Sequence, residues 1–321
     1  MPAASSAMAC FRKAGTRQSD VQAGVGPRLC ADQGPIYSSA SDLPMRRFEL
    51  VTRLPQQTTG VSGRPRQGRG DRLNSLEKMI GMLDIFDAGE DAVAVSFDEL
   101  YERLGYTRST LYRYLKTLTD AGLLTSLPSV GYMLGPRIVE LDYKIRTGDV
   151  LIKAAKPMME ELAARFKAVS LLCRRYKFEV LCVHQEIGPD AIHSNYDRGR
   201  RRPLLQGAAS VAILAYLPDH QLRKFHGLAQ EQFALAGFGA TLKDVKNTLR
   251  QYREQGWVST TGDVTPGALG IAAAVFDART EVIGSLSLTM RESRANAGVI
   301  EQAAEQLVFC ANVLSKTLAR D

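Results

Sequence analysis

Cysteine is scarce in this chain and poorly placed for joint work. The five cysteines, Cys10, Cys30, Cys173, Cys182 and Cys310, form no CxxC pair and stand at no metal-finger spacing from the four histidines. That disfavours a zinc module and a disulfide scaffold, and leaves reduced thiols that fill core or tail. No run approaches the ~20 apolar residues that a membrane-crossing helix needs. The opening MPAASSAMACFRKAG puts its charges after a weak apolar stretch, the reverse of an export signal. A cytoplasmic protein with no membrane partner is expected. Also absent are a GxSxG nucleophile elbow, a GxxxxGKS/T phosphate loop, an HExxH metal site and a glycine-rich dinucleotide fingerprint. Catalysis, a cofactor and a bound metal therefore have no anchor in the sequence.

Net charge is missing from most of the chain. Residues 1–73 carry 11 Lys and Arg against 5 Asp and Glu, which leaves 30 against 29 for the remainder. A nucleic acid would have to be held by a local patch of the folded part, not by its overall field. The first 73 residues show no sustained period and are rich in Gly, Pro, Ser, Gln and Arg. Such a segment buries too little apolar surface to offset its ordering entropy, so a disordered basic tail is expected. A start assigned too far upstream and a DNA-touching arm are alternatives.

What is present begins at Asn74. Asn74 and Glu77 make a capping pair, and Leu76, Ile80, Leu83 and Phe86 fall on one helical face. After a GED turn and the run AVAV, a second capping pair, Ser96 and Glu99, opens the helix FDELYERL. Thr107 caps a third helix within TRSTLYRYLKTLTDAGLL, with Leu111, Leu115 and Leu118 as its buried stripe and Gly122 as its stop. LLTSLP and GYMLG then read as a β-hairpin. Three short helices with a glycine turn, followed by a hairpin, describe a winged helix-turn-helix.

The stripe on the third helix turns Arg108, Ser109, Tyr112, Arg113 and Lys116 outward. Arg108 and Arg113 suit guanine edges, while Ser109, Thr110, Tyr112 and Lys116 suit phosphates. A solvated surface helix of a small-molecule enzyme and a winged-helix protein-interaction module are the competing readings.

Downstream, a helix over 136–147 and another from Asp149 to about Lys167 lead into mixed structure. VSLLCRRY, EVLCVHQE, IAAAVFD and VIGSLSLT read as strands, and GAASVAILAYL, LKDVKNTLRQYREQG and residues 298–319 as helices. The class is α+β. GAAS lets a helix start close to a ligand, whose carboxylate its free N–H groups would favour. SLSLT places Ser285, Ser287 and Thr289 on one face of its strand. Small residues that merely permit tight helix-sheet packing account for the same letters. Loop arginines Arg174, Arg175 and the loop run Arg198, Arg200, Arg201 and Arg202 suit a ligand carboxylate, solvent or a subunit contact.

SLEKMIGMLDIF, FDELYERLGYTRSTLYRYLKTLTDAGLL and GYMLGPRIVEL together resemble the amino-terminal domain of IclR-family bacterial transcription regulators. KPMMEELAARF, GRRRPLLQGAASVAILAYLP, GWVSTTGDVTPGALGIAAAVFD and VIGSLSLT carry the resemblance over the rest of the chain. It implies a winged helix at 74–135, a linker helix at 136–148 and a GAF-like effector-binding domain at 149–321. It implies a homodimer or homotetramer on a near-palindromic double-stranded operator, responsive to a small organic acid. Effector contacts are implied at Ala208, Ala209, Thr260, Gly270, Ser287 and Thr289. Family members often have an acidic residue where Thr260 stands, a cysteine at Gly270 and a histidine at Leu205. Those losses of polar groups point away from a two- or three-carbon acid and toward a larger or aromatic one.

Deleting residues 1–73 is expected to leave the thermal melting transition of the remainder intact. Aggregation of the truncated chain would contradict that.

Overall fold

The computed structural model describes residues 74–87 and 94–319. The tail, with Cys10 and Cys30, and the GED turn lie outside them. Helix α1 (Ser75–Gly81) opens on the capping box expected of it: the Asn74 side chain accepts from the Leu76 and Glu77 N–H groups, and the Glu77 carboxylate accepts from the Asn74 N–H at 2.7 Å. The expected apolar face needs correction. Leu76 and Ile80 are exposed and α1 buries nothing, because the helix stops at Gly81 and a 3-10 turn, Met82–Asp87, takes over. The change of period brings Met82 to the interior, with Met79, Leu83, Ile85 and Phe86 packed around it.

Helix α2 (Phe97–Leu104) is capped by Ser96 and ends on left-handed Gly105, and α3 (Arg108–Asp120) begins three residues later. Leu111, Leu115 and Leu118 are buried as the spacing requires, and Tyr114 joins them. At its end the Leu123 N–H returns to the Leu118 carbonyl and the Gly122 N–H to Thr119, a Schellman ending that needs the positive φ of Gly122. The hairpin follows as β1 (Leu124–Leu127) and β2 (Gly131–Leu134). Val95 adds a third edge, exchanging both backbone hydrogen bonds with Tyr132. A side chain at Gly131 would collide with the Val95 backbone, so glycine is required there.

Helix α4 (Pro136–Gly148) buries no residue of its own. Helix α5 (Val150–Phe166) is capped by Asp149 and buries Leu151, Ile152, Ala155, Met159 and Leu162. The remaining strands form one antiparallel sheet in the order β5-β4-β3-β8-β7-β6. They are β3 (Val169–Tyr176), β4 (Glu179–Ile187), β5 (Arg201–Pro203), β6 (Val258–Thr261), β7 (Ala268–Phe276) and β8 (Val282–Arg291). Helices α5 and α9 (Ala297–Leu318) cover one face. Helix α6 (Ala208–Ala215) lies on the other, backed by α8 (Leu242–Gln255) and, beyond it, α7 (Asp219–Leu235). Every residue of α6 is buried, so it forms the centre of that layer.

Candidate functional site

Two features stand out, one on each side of α4. The first is the outer face of α3. Arg108, Ser109, Tyr112, Arg113 and Lys116 are exposed on it, while Thr107 caps the helix by accepting from the Thr110 N–H at 3.3 Å. The Thr107 hydroxyl contacts those of Ser109 at 3.3 Å and Thr110 at 2.9 Å, a small network at the helix start. Arg108 and Arg113 differ. The Arg108 guanidinium bonds Asp98 at 2.9 Å and lies over the Phe97 and Tyr101 rings, 5.6 and 4.9 Å from their centroids, so it ties α3 to α2. Arg113 packs over Tyr114 of its own helix and faces outward.

The second feature is a cavity between α6 and the sheet. Sheet register builds it. Thr260 on β6 pairs with Gly270 on β7, Gly270 with Thr289 on β8, and Thr289 with Val169 on β3, so these four form one row across the sheet. The next row on the same face is Val258, Ala272, Ser287 and Leu171. Period-two alternation turns both rows toward α6. Ser285, one row further on, bonds the Ala209 carbonyl at 2.8 Å and pins the helix to the sheet. The first helical N–H, that of Ala208, donates to the Thr260 hydroxyl at 3.1 Å. Gly207 caps α6 with no side-chain hydrogen bond.

All six sequence-derived positions, Ala208, Ala209, Thr260, Gly270, Ser287 and Thr289, line this one cavity, a narrow space of about 40 Å³ that is partly open to solvent. Sequence reasoning missed the other walls. Ser194 and Tyr196 come from the β4–β5 connection, and Asp263, Val264 and Thr265 from the β6–β7 loop. Neither loop carries a periodic signal, and long-range folding alone brings them here. Asp263 sits at the protein surface, yet burial of its carboxyl pushes its pKa above the ordinary value, opposed by the Gly207 N–H and the Thr260 hydroxyl. A carboxylate of the chain itself therefore stands at the start of α6. Leu205 packs against the core beside α6 and is not among the lining residues.

None of the six arginines lines the cavity, and four of them lie on strands, Arg174 and Arg175 on β3 and Arg201 and Arg202 on β5. Arg174 pairs with Asp149 at 3.1 Å, Arg175 bonds Gln221 at 2.6 Å, Arg202 bonds the Asn195 carbonyl at 2.6 Å, and Arg198 reaches Asp142 on α4. They are internal ties. Cys173 and Cys182 lie opposite each other on β3 and β4, both buried. The Cys182 thiol is pushed far up, first by its hydrogen bond with Cys173 and then by burial, which removes it as a nucleophile. His184 is paired with Glu186 at 2.9 Å. Among the described residues no group of three or more His, Cys, Asp or Glu could hold a metal, and no helix is long and apolar enough to cross a membrane.

Comparison with known proteins decides what this architecture is. Residues 75–128 match the IclR helix-turn-helix domain, and residues 146–316, more than half of the chain, match the bacterial transcriptional regulator IclR C-terminal domain. The chain belongs to the IclR family of bacterial transcriptional regulators. Among curated IclR regulators it is similar to HTH-type transcriptional regulator XynR of Escherichia coli strain K12, 27% identical over 77% of this chain and 97% of that protein. Among solved structures it is similar to an IclR regulator of Alicyclobacillus acidocaldarius, with a TM-score of 0.65, 22% identity and coverage of 76% and 98%. An IclR homologue of Microbacterium hydrocarbonoxydans, complexed with 4-hydroxybenzoate, aligns with a TM-score of 0.63, 20% identity and coverage of 77% and 100%. As in other IclR regulators, the helix-turn-helix binds DNA, the C-terminal domain binds a small-molecule effector, and the protein is not an enzyme.

Proposed function

We propose that this IclR regulator changes its grip on its operator when a small carboxylic acid, aromatic or otherwise larger than three carbons, enters the α6 cavity. The observation that carries the reading is the meeting, at one cavity, of a helix start where Gly207 brings no side chain and the Ala208 N–H has only a neutral hydroxyl, that of Thr260, named as its acceptor, and a wall of hydroxyls and apolar groups. Ala209 would offer its N–H to the carboxylate, Ala208 would exchange its bond to the Thr260 hydroxyl for one to the ligand, and Ser287, Thr289 and Thr260 would offer their hydroxyls. The 4-hydroxybenzoate held by the Microbacterium homologue is the natural first probe. The working division is a DNA-binding unit at 74–135, a linker at 136–148 and an effector unit at 149–321, acting in the cytoplasm.

On DNA, Arg113 and Arg108 are the proposed readers of base edges, with Ser109, Thr110, Tyr112 and Lys116 on phosphates and Thr107 holding the helix start. A homodimer would set two such helices in major grooves about 34–36 Å apart, or a multiple, on a near-palindromic site. Leu76 and Ile80 of α1 and Val139, Tyr143 and Ile145 of α4, all more than half exposed, support a second copy there. A homotetramer would pair two such dimers.

Two outcomes test this. On an operator fragment selected from random DNA, Arg113→Ala is expected to weaken binding by roughly 1–3 kcal/mol with an unchanged melting temperature. Arg108→Ala should lower both, because its guanidinium also joins α3 to α2. Unchanged affinity for both variants would refute the placement of α3 in the groove.

The second outcome concerns pH. With its pKa raised, Asp263 is ionised above that pKa and repels an incoming carboxylate, and protonation below it removes the repulsion. Calorimetric affinity for 4-hydroxybenzoate should therefore rise as pH falls through that pKa. Asp263→Asn should bind more tightly at neutral pH and lose the rise in affinity that Asp263 protonation brings. Tight binding of two- or three-carbon acids alone would contradict the proposed effector class.

A further inference from the structure

The segment between β4 and β5 touches both features of the molecule. At one end Asn195 is held to the β6–β7 loop: its N–H donates to the Thr265 hydroxyl at 3.0 Å and its side-chain amide to the Val264 carbonyl at 3.4 Å. Ser194 and Tyr196, on either side, line the cavity and are buried. The Tyr196 hydroxyl donates to the Val180 carbonyl at 3.1 Å, and the ring lies under the Arg202 guanidinium. At the other end Arg198 is fixed to β4 by its Nε on the Val183 carbonyl at 2.8 Å and by its N–H on the Gln185 side chain at 3.2 Å. One of its two terminal guanidinium nitrogens, Nη2, reaches across to Asp142, midway along α4. Arg146 grips the other oxygen of the same carboxylate at 2.9 Å, and Arg198 is the first cause that holds Asp142 below the usual carboxylate range.

Asn195 and Arg198 stand three residues apart, and three residues of chain span no more than about 11 Å. Polar contacts hold both ends and the buried Tyr196 anchors the middle, so the segment has little slack. A displacement of Val264, Thr265 or Tyr196 by an occupant of the cavity is passed to Arg198 rather than absorbed. We infer that residues Ser194–Arg198 form a strap that couples the cavity wall to the linker helix, with Arg198 as the positioning residue that sets where α4, and the winged helix beyond it, is held. The inference rests on the reading of the cavity as the effector site, and gives that site its route to the DNA-binding helix. Coupling of this kind requires that the two arrangements of α4 differ in effector affinity, and the Arg198–Asp142 bond is the contact that would differ.

A thermodynamic cycle without effector tests the strap, and so keeps its outcome separate from whether the cavity binds an acid. Thr265→Val removes the acceptor for the Asn195 N–H on the cavity side, and Arg198→Met cuts the bond to α4. Hydrogen exchange is read on peptides covering 136–148 and 194–198 in the full chain. Thr265→Val is expected to speed exchange in α4 severalfold. Arg198→Met should do the same, and adding Thr265→Val to it should bring no further change in α4. Asp142→Asn serves as the second linker-side variant should Arg198→Met fail to fold. Exchange in α4 that stays at the wild-type rate in Thr265→Val, or effects of the two changes that simply add, would overturn the proposal.

Discussion

The hydrogen bond from the Ala208 N–H to the Thr260 hydroxyl depends on the cross-strand register, and the cavity depends on both. A one-residue slip of β6 against β7 would turn Thr260 to the opposite face and leave the first N–H of α6 without its acceptor. The same register places Gly270, Thr289 and Ser287 under the helix, while Ser285 fastens the helix to β8. Three strands distant in sequence thus converge on one helix start, and the side chains that matter there are small. Small side chains let backbone approach backbone, and they also leave space that a ligand can fill.

The DNA-binding half follows a related logic with a different fastening. Its recognition helix is held by three leucines and Tyr114 beneath, and by Arg108 across to α2. The outward face is free of that packing duty except at Arg108. Arg108 is tied to α2, whereas Arg113 packs only over Tyr114 of its own helix among the ring contacts of this face and points outward, the position proposed for base reading. The basic character of the patch is local, in keeping with a near-zero net charge over residues 74–321.

Much of this was legible in the sequence because local rules govern it. Caps at Asn74, Ser96 and Thr107, the glycine after α3, and the alternation along β8 each act within a few residues. The six cavity positions became legible through resemblance, since nothing in the letters GAAS or SLSLT separates a ligand pocket from tight packing. Other features depended on distance. Val95 pairs with Tyr132 across 37 positions, which no window could reveal. Strands β5 and β6, of three and four residues, are too short for a period. Helix α7 carries no clean helical period: Gly227 interrupts its pattern and a non-helical backbone at Ala229 bends it. The six arginines read as ligands or solvated charges, whereas the fold uses Arg174 and Arg198 to tie the linker region to the sheet domain. Such pairs bring together residues 25 and 56 positions apart.

The central claim is that an acid binds at the start of α6. Its most direct measurement is a titration of 15N-labelled protein with 4-hydroxybenzoate, followed through the backbone amide signals. Saturable downfield shifts of the Ala208 and Ala209 amides, accompanied by Gly270 and Thr289 across the sheet, are the predicted result. Saturable binding that leaves the Ala208 and Ala209 amides unmoved while signals elsewhere shift would contradict it.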